Sequence, residues 1–206
     1  MNVSYAITVC NERKEIENLI GFLIQNKHPL DEIVVLFDTT NGTEKVETYL
    51  DTISAHICLH KHPFISHFAN WKNLLNSFCS NDYIFQIDAD ETPTQDLKDS
   101  LRDIISQDID VILVPRHNTV EGLTDNHIKK WGWNVDDMGR VNWPDYQWRL
   151  YKNHPTIKWI NKVHEVLDGF KTYSALPSDM ESGLLFLNHP KSIERQEKQN
   201  EYYNTL

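Results

Sequence analysis

No stretch of the 206 residues comes near the roughly 18 consecutive apolar residues that a membrane helix needs, so stable membrane insertion is not expected. Cysteine is scarce. Cys10, Cys58 and Cys79 are odd in number and show no C-x-x-C spacing. They exclude a disulfide frame and a zinc site of the usual spacing, and they read as free thiols in a reducing compartment. Basic charge is also short: 20 Lys and Arg face 30 Asp and Glu, for a net charge of -10. Broad binding to nucleic acid needs many phosphate-neutralising cations and is disfavoured, although a local basic groove stays open. There is no Gly/Ser linker, low-complexity tract or internal repeat. Met1 to Tyr5 leads directly into a strand without the charge pattern of a signal peptide, so the expected location is cytoplasmic, with peripheral contact at the inner membrane face left open.

What is present is an ordinary globular composition, with 40% apolar and 24% charged residues. At about 150 residues per domain, the length suits one domain over 1–206. Val3 to Cys10 reads as a strand, and Glu15 to Gln25 as a helix with Ile16, Leu19, Ile20, Leu23 and Ile24 at helical spacing. Glu32 to Phe37 is a continuous apolar run, the pattern of a strand buried on both faces. Glu44 to Leu50 suits a helix, Ala55 to His60 a strand, Phe68 to Cys79 a helix and Asp82 to Ile87 a strand. Gln95 to Ser106 then reads as a helix and Val111 to Pro115 as a buried strand. This alternation predicts an α/β fold with a mainly parallel sheet and helices on both faces. Ligands of such sheets bind beyond the carboxyl ends of the strands. That directs attention to Asn11 and Glu12, to Asp38, and to Asp88, Asp90 and Glu91.

The strongest local signal is Asp88-Ala89-Asp90-Glu91 at the end of an apolar strand. Two carboxylates one residue apart suit a hard divalent cation such as Mg²⁺ or Mn²⁺, which takes oxygen ligands and bridges to phosphates. A solvated acidic loop is the plainer alternative. After residue 115 the composition shifts, and five of the six tryptophans lie between Trp131 and Trp159.

Val9-Cys10-Asn11-Glu12, Val34 to Asp38 with Thr39 to Thr43, Asn70-Trp71-Lys72-Asn73 and Asp88-Ala89-Asp90-Glu91 together resemble a family 2 glycosyltransferase of the GT-A (Rossmann-like) fold. Pro144 to Tyr151 and Val163-His164-Glu165 are similar to the branch that includes bacterial lipopolysaccharide-core β-glucosyltransferases. The resemblance covers about residues 3 to 170. It implies one GT-A domain, with 1–91 as the nucleotide-sugar half and 92–206 as the acceptor half with a helical tail. The usual Ser/Asp-rich turn after the second strand is Thr39-Thr40-Asn41-Gly42 here.

The resemblance implies a metal-dependent, inverting hexosyltransferase that moves a sugar from a UDP-sugar to an acceptor hydroxyl, in surface glycan or lipopolysaccharide synthesis. Modification of phage DNA bases or of a protein, and a non-catalytic nucleotide-sugar-binding protein, are the alternatives. Donor contacts fall on Asn11, Glu12, Asp38, Asn73, Asp88 and Arg149, with Lys72 a weaker phosphate contact. Asp38 suits the imide N–H of uracil, or it caps its own turn. Asn11 equally suits a helix cap, and Arg149 a plain salt bridge. Metal ligands fall on Asp88, Asp90 and His164, with Glu91 supporting the loop. The base that takes the acceptor proton is expected at Asp145 first and Glu165 second. Trp148 and Trp159 read as core. Trp131, Trp133 and Trp143 are candidates for a platform under a sugar ring. His189-Pro190 and the tail from Lys191 to Tyr203 either close over the nucleotide or pack as a helix. A Gly-rich phosphate loop after the first strand is missing from Cys10 to Lys14, which sets aside a nucleotidyltransferase.

Overall fold

A computed structural model describes residues 1–179 and 181–203. The first half alternates as the sequence predicts: β1 (Val3–Val9), α1 (Arg13–Asn26), β2 (Glu32–Asp38), α2 (Glu44–Thr52), β3 (Cys58–His62), α3 (Phe68–Asn76), β4 (Tyr83–Asp88) and the short β5 (Thr92–Pro93). Then follow α4 (Gln95–Ser106), β6 (Val111–Glu121), α5 (Asp125–Trp131), β7 (Val141–Lys152), β8 (Lys158–Ile160), β9 (Val166–Asp168), β10 (Tyr173–Ala175), β11 (Leu187–Ser192) and α6 (Ile193–Tyr203).

The main sheet runs β3-β2-β1-β4-β7-β6-β11-β5, and β10 also pairs with β6. β1 is parallel to β2 and β4, and β2 is parallel to β3. β7 is antiparallel to both β4 and β6. β11 is parallel to β6. The sheet is therefore mixed and mostly parallel, as expected, with antiparallel pairs where β7 joins β4 and β6 and where β5 joins β11.

Strand alternation divides the core into two layers. Tyr5, Ile7, Val35, Phe37, Phe85 and Ile87 face α1, α2 and α4, which bury Ile16, Leu19, Leu23, Val46, Leu50, Leu97 and Leu101 on that side. Ala6, Val34, Leu36 and Ile84 face the other way, against Trp71 and Leu75 of α3 and Trp159 and Leu167 of the β8–β9 hairpin. Helices thus cover both faces, as expected. Full burial of each such aliphatic side chain contributes about 1.5–3 kcal/mol.

The differences from the sequence reading have local causes. The third strand begins at Cys58 rather than Ala55 because His56 N–H closes a turn onto the Ile53 carbonyl (2.9 Å). α3 stops at Asn76, where Ser77 N–H bonds back to the Asn73 and Leu74 carbonyls (3.1 Å each). β6 continues past Pro115 to Glu121. Its partner changes there, with β10 beside Val111–Leu113 and β11 beside Arg116–Glu121, so the proline sits at the break between them. Among the described residues, no helix is long and apolar enough to cross a membrane.

Candidate functional site

Because β1, β2 and β4 are parallel neighbours, their carboxyl ends lie on one edge of the sheet. A cleft of about 1190 Å³ opens there, lined by Asn11 and Glu12 after β1, Asp38 at the end of β2, Asp88 at the end of β4 and Asp90 just beyond it. The second half contributes Arg116 and Asn118 from β6, Asp145, Gln147 and Arg149 from β7, His164 and Glu165 from the β8–β9 loop, His189 and Lys191 from β11, and Arg195 from α6.

Asp38 organises the turn after β2. Its Oδ1 accepts Thr40 N–H (2.7 Å) and Phe64 N–H (3.1 Å), and its Oδ2 accepts the Asn41 amide (2.9 Å). It therefore caps its turn and also lines the cleft. Gly42 closes that turn, and a Cβ there would stand 2.2 Å from the Asp38 carbonyl oxygen, closer than any side chain tolerates. Asn11 does not cap α1. Glu12 occupies the cap position, and its Oε2 accepts the backbone N–H groups of Cys10 and Asn11 (2.9 Å each).

The Asp88–Glu91 turn is held by arginines. Glu91 is fully buried, and its Oε1 accepts Arg149 Nη2 (2.6 Å) and Arg116 Nη1 (3.2 Å) while its Oε2 accepts Asp88 N–H (3.1 Å). Arg149 Nη2 also binds Asp88 Oδ2. Burial works against charge on Asp88, but Arg149 and then Lys72 outweigh it and hold the carboxyl below its ordinary value. Arg149, one expected diphosphate contact, is 3% exposed and is engaged by these two carboxylates, which matches the salt-bridge alternative.

Asp90 faces basic groups from the end of the chain. Its Oδ2 is 3.3 Å from His189 Nε2, 3.3 Å from Arg195 Nη2 and 3.9 Å from Lys191 Nζ. Burial disfavours the Asp90 charge, but His189 first, then Lys191 and Arg195, outweigh it and hold the carboxyl well below its usual range. Arg195 also binds Glu12 Oε1 (3.2 Å) and Glu15 Oε1 (2.9 Å), so it fastens α6 to the start of α1.

Among the described residues, no three His, Cys, Asp or Glu side chains converge as a ready metal site. The expected set of Asp88, Asp90 and His164 is not assembled. The histidine at Asp90 is His189, brought there by the parallel pairing of β11 with β6, while His164 sits in the β8–β9 loop at φ 54°. An octahedral cation with ligands at about 2.1 Å sets adjacent ligands about 3 Å apart. The 3.3 Å separation of Asp90 Oδ2 and His189 Nε2 fits two such positions, leaving the others to phosphate oxygens and water.

The two base candidates differ. Asp145 Oδ2 accepts Arg116 Nε (2.9 Å), Arg116 Nη2 (2.7 Å) and the Asn118 amide (2.8 Å), and Oδ1 accepts the Gln147 amide (2.6 Å). Burial raises the Asp145 pKa, but Arg116 and these hydrogen bonds outweigh it and hold the carboxyl below its ordinary value. Such a carboxylate is a poor proton acceptor. Glu165 instead pairs with Lys72 Nζ (2.6 Å), which lies over the Trp159 ring at 4.3 Å from its centroid.

Asn73, an expected donor contact, does not line the cleft. Its amide donates to the Trp159 carbonyl (2.8 Å) and accepts Trp159 N–H (2.9 Å), clamping α3 to β8. Trp159 is buried, and Trp148, half-buried, packs on Phe170. Trp133 lines the cleft and packs on Trp131 with centroids 4.6 Å apart. Trp143 packs edge-on against His117 and Phe186.

Sequence reasoning missed Arg116 and Asn118. Both lie beyond Pro115, where the apolar run of β6 ends, and isolated polar residues in a strand carry no local signal.

The family model described as Glycosyl transferase family 2 matches residues 4–175. No curated protein matches the chain. Solved structures do. S. aureus TarS 1–349 superposes with a TM-score of 0.61 at 15% identity, covering 92% of this chain and 60% of that one. TarS 1–349 in complex with UDP-GlcNAc gives 0.62 at 16% identity, covering 93% and 59%. TarS 1–349 in complex with UDP gives 0.63 at 14% identity, covering 96% and 63%. The chain thus spans about three fifths of the length of those TarS chains. At this identity the likeness establishes the fold, the α/β arrangement of GT-A proteins.

Proposed function

Since the chain belongs to glycosyl transferase family 2, we propose that it transfers a sugar from a UDP-sugar to an acceptor hydroxyl with inversion at the anomeric carbon. The observation that carries this reading is the convergence of Asp38, Asp88 and Asp90 on one cleft at the carboxyl ends of three parallel strands. The TarS complexes with UDP and UDP-GlcNAc, which share the fold, support a uridine nucleotide as the donor.

In this reading Asp38 accepts the uracil imide N–H through the acceptor capacity left on Oδ2, a carboxylate having about four lone-pair sites. Asp90 and His189 would hold a divalent cation, Mn²⁺ or Mg²⁺, which supplies Lewis-acid neutralisation of the departing diphosphate. Lys191 and Arg195 add positive charge beside the same position. Glu165 is the base. It takes the proton of the acceptor hydroxyl as that oxygen bonds to the anomeric carbon and the carbon–diphosphate bond breaks. Lys72 holds Glu165 in place through their ion pair, and Trp159 fixes Lys72. Asp145 holds Arg116, and through it Glu91 and the Asp88–Asp90 turn. The acceptor proposed is a glycan hydroxyl, with the exposed side of Trp133 available to a pyranose face.

The test is release of UDP from UDP-sugars by purified protein with Mn²⁺, alongside thermal shifts with UDP, GDP and CDP. Ligand at 100 times its dissociation constant stabilises by about 2.7 kcal/mol. The reading expects a larger shift with UDP, Mn²⁺-dependent turnover, and loss of that turnover in Asp90→Asn. No response to any nucleotide sugar overturns the transferase reading. Equal turnover in excess EDTA overturns the cation.

A further inference from the structure

The turn after β2 is fixed on three sides. Thr39 N–H donates to the His62 carbonyl of β3 (2.9 Å), Thr43 N–H to the Cys10 carbonyl beyond β1 (3.2 Å), and Gly42 N–H back to the Asp38 carbonyl (2.9 Å). A Cβ at Gly42 would collide with that carbonyl and with the Phe37 ring, so glycine is needed to close the turn this way. These contacts set Asn41, exposed and lining the cleft, at one place beside Asp38.

The orientation of the Asn41 amide follows from its neighbour. Its Nδ2 lies 2.9 Å from Asp38 Oδ2, and a carboxylate only accepts hydrogen bonds. The nitrogen therefore faces Asp38. An amide nitrogen carries two N–H groups, and Asp38 takes one of them. Among the described residues the second has no partner. An acceptor on Asp38 Oδ2 and a donor on Asn41 Nδ2 thus stand 2.9 Å apart at the wall of the cleft.

Uracil carries the complementary pair. Its imide N–H is a donor, and a carbonyl acceptor adjoins it on either side. Two adjacent hydrogen bonds of opposite direction then form where Asp38 by itself forms one. Cytosine has a lone pair at the imide position, facing Asp38, and an amino group where uracil has its 4-carbonyl. Guanine repeats the uracil edge on a larger ring. The pair therefore separates UDP from CDP by hydrogen-bond direction and leaves GDP to ring size.

We propose that Asn41 is a base-recognition residue: its second N–H donates to the carbonyl beside the imide N–H that Asp38 accepts. The proposal rests on the reading of Asp38 as the uracil acceptor and deepens it by a second contact. It concerns the base alone and holds with or without a cation at the diphosphate.

Calorimetric titration of UDP, 2-thio-UDP, 4-thio-UDP and CDP into wild type, Asn41→Leu and Asn41→Ser tests it. A thiocarbonyl is a weaker hydrogen-bond acceptor than a carbonyl. The analogue altered at the contacted position should therefore bind wild type about 2–10-fold more weakly than the other analogue, the worth of a neutral hydrogen bond. Both variants should bind UDP more weakly by a similar factor and should no longer tell the two analogues apart. Serine suits a turn as asparagine does and is too short to reach the base, so that variant serves if leucine disturbs the fold. Wild type that treats the two analogues alike overturns the proposal. So does a difference between them that survives replacement of Asn41, which would leave the amide as a support for Asp38. Wild type with no preference for UDP over CDP overturns the uridine reading itself, and the proposal with it.

Discussion

Arg116 grips the carboxylate of Asp145 through two N–H groups, Nε at 2.9 Å and Nη2 at 2.7 Å, both on the same oxygen. Through its remaining nitrogen the same guanidinium reaches Glu91 at 3.2 Å, beneath the Asp88–Asp90 turn. One arginine thus connects the β7 carboxylate to the carboxylates at the end of β4. This arrangement ties Asp145 into the scaffold, and in the proposed reading the proton transfer falls to Glu165.

The two carboxylates should therefore separate kinetically. Glu165→Gln is expected to lower kcat by about 10²–10⁴-fold while UDP-sugar binding stays nearly unchanged, because a base acts only in the transfer step. Asp145→Asn is expected to lower the melting temperature, with a cost of about 1–3 kcal/mol for a charged hydrogen-bond hub losing its charge. Steady-state kinetics and thermal melts on both variants decide this. A kcat collapse confined to Asp145→Asn would exchange the two roles.

Asn73 gives a test of a different kind. Its amide makes both of its hydrogen bonds to the Trp159 backbone, away from the cleft. Asn73→Ala should destabilise the fold by about 1–3 kcal/mol and leave the UDP dissociation constant unaltered. Calorimetric titration of UDP into the variant checks it, and a weakened UDP complex would return Asn73 to the donor site.

Asp38 should show two effects at once. Asp38→Asn keeps an oxygen for Thr40 and Phe64 N–H but turns an N–H₂ towards Asn41 or the cleft. The advantage of UDP over CDP and GDP is expected to shrink by about 1.5–3 kcal/mol, the worth of a hydrogen bond to a charged group. Competitive displacement with the three diphosphates measures the difference. An unchanged ranking would remove Asp38 from base recognition.

Acid should loosen the junction of β10 with β6. Asp110 accepts Lys171 N–H (2.8 Å) and Thr172 N–H (3.1 Å) and pairs with Lys152 (3.0 Å). The Lys171 hydrogen bond is the largest cause that lowers its pKa, from 3.8 to about 2. A carboxyl depressed in the folded state contributes stability that is complete above its ordinary value and is lost as pH falls through the folded one. The melting-temperature gap between wild type and Asp110→Asn should therefore be widest above pH 4 and close between about pH 4 and 2. A gap independent of pH would show that the charge of Asp110 does not contribute.

Residues near one another in sequence carried what the sequence alone determined. Periodic apolar positions such as Ile16, Leu19, Ile20 and Leu23 in α1 predict the helix and its buried face, and the unbroken run Ile33–Phe37 predicts a central strand. Alternation of such segments implies parallel strands, and parallel strands place Asp38, Asp88 and Asp90 on one edge. Burial of apolar surface depends on a residue's own type and spacing, so it is legible locally. The pairing of charges was decided only by the tertiary structure. Nothing in the chain near Asp90 announces that its histidine is His189, 99 positions later, rather than His164. Nor does the motif around Asp145 show that Arg116 and Asn118 engage it. A carboxylate can be satisfied by any donor that strand register brings within about 3 Å, and register across antiparallel and crossover strands is set by packing of the whole sheet.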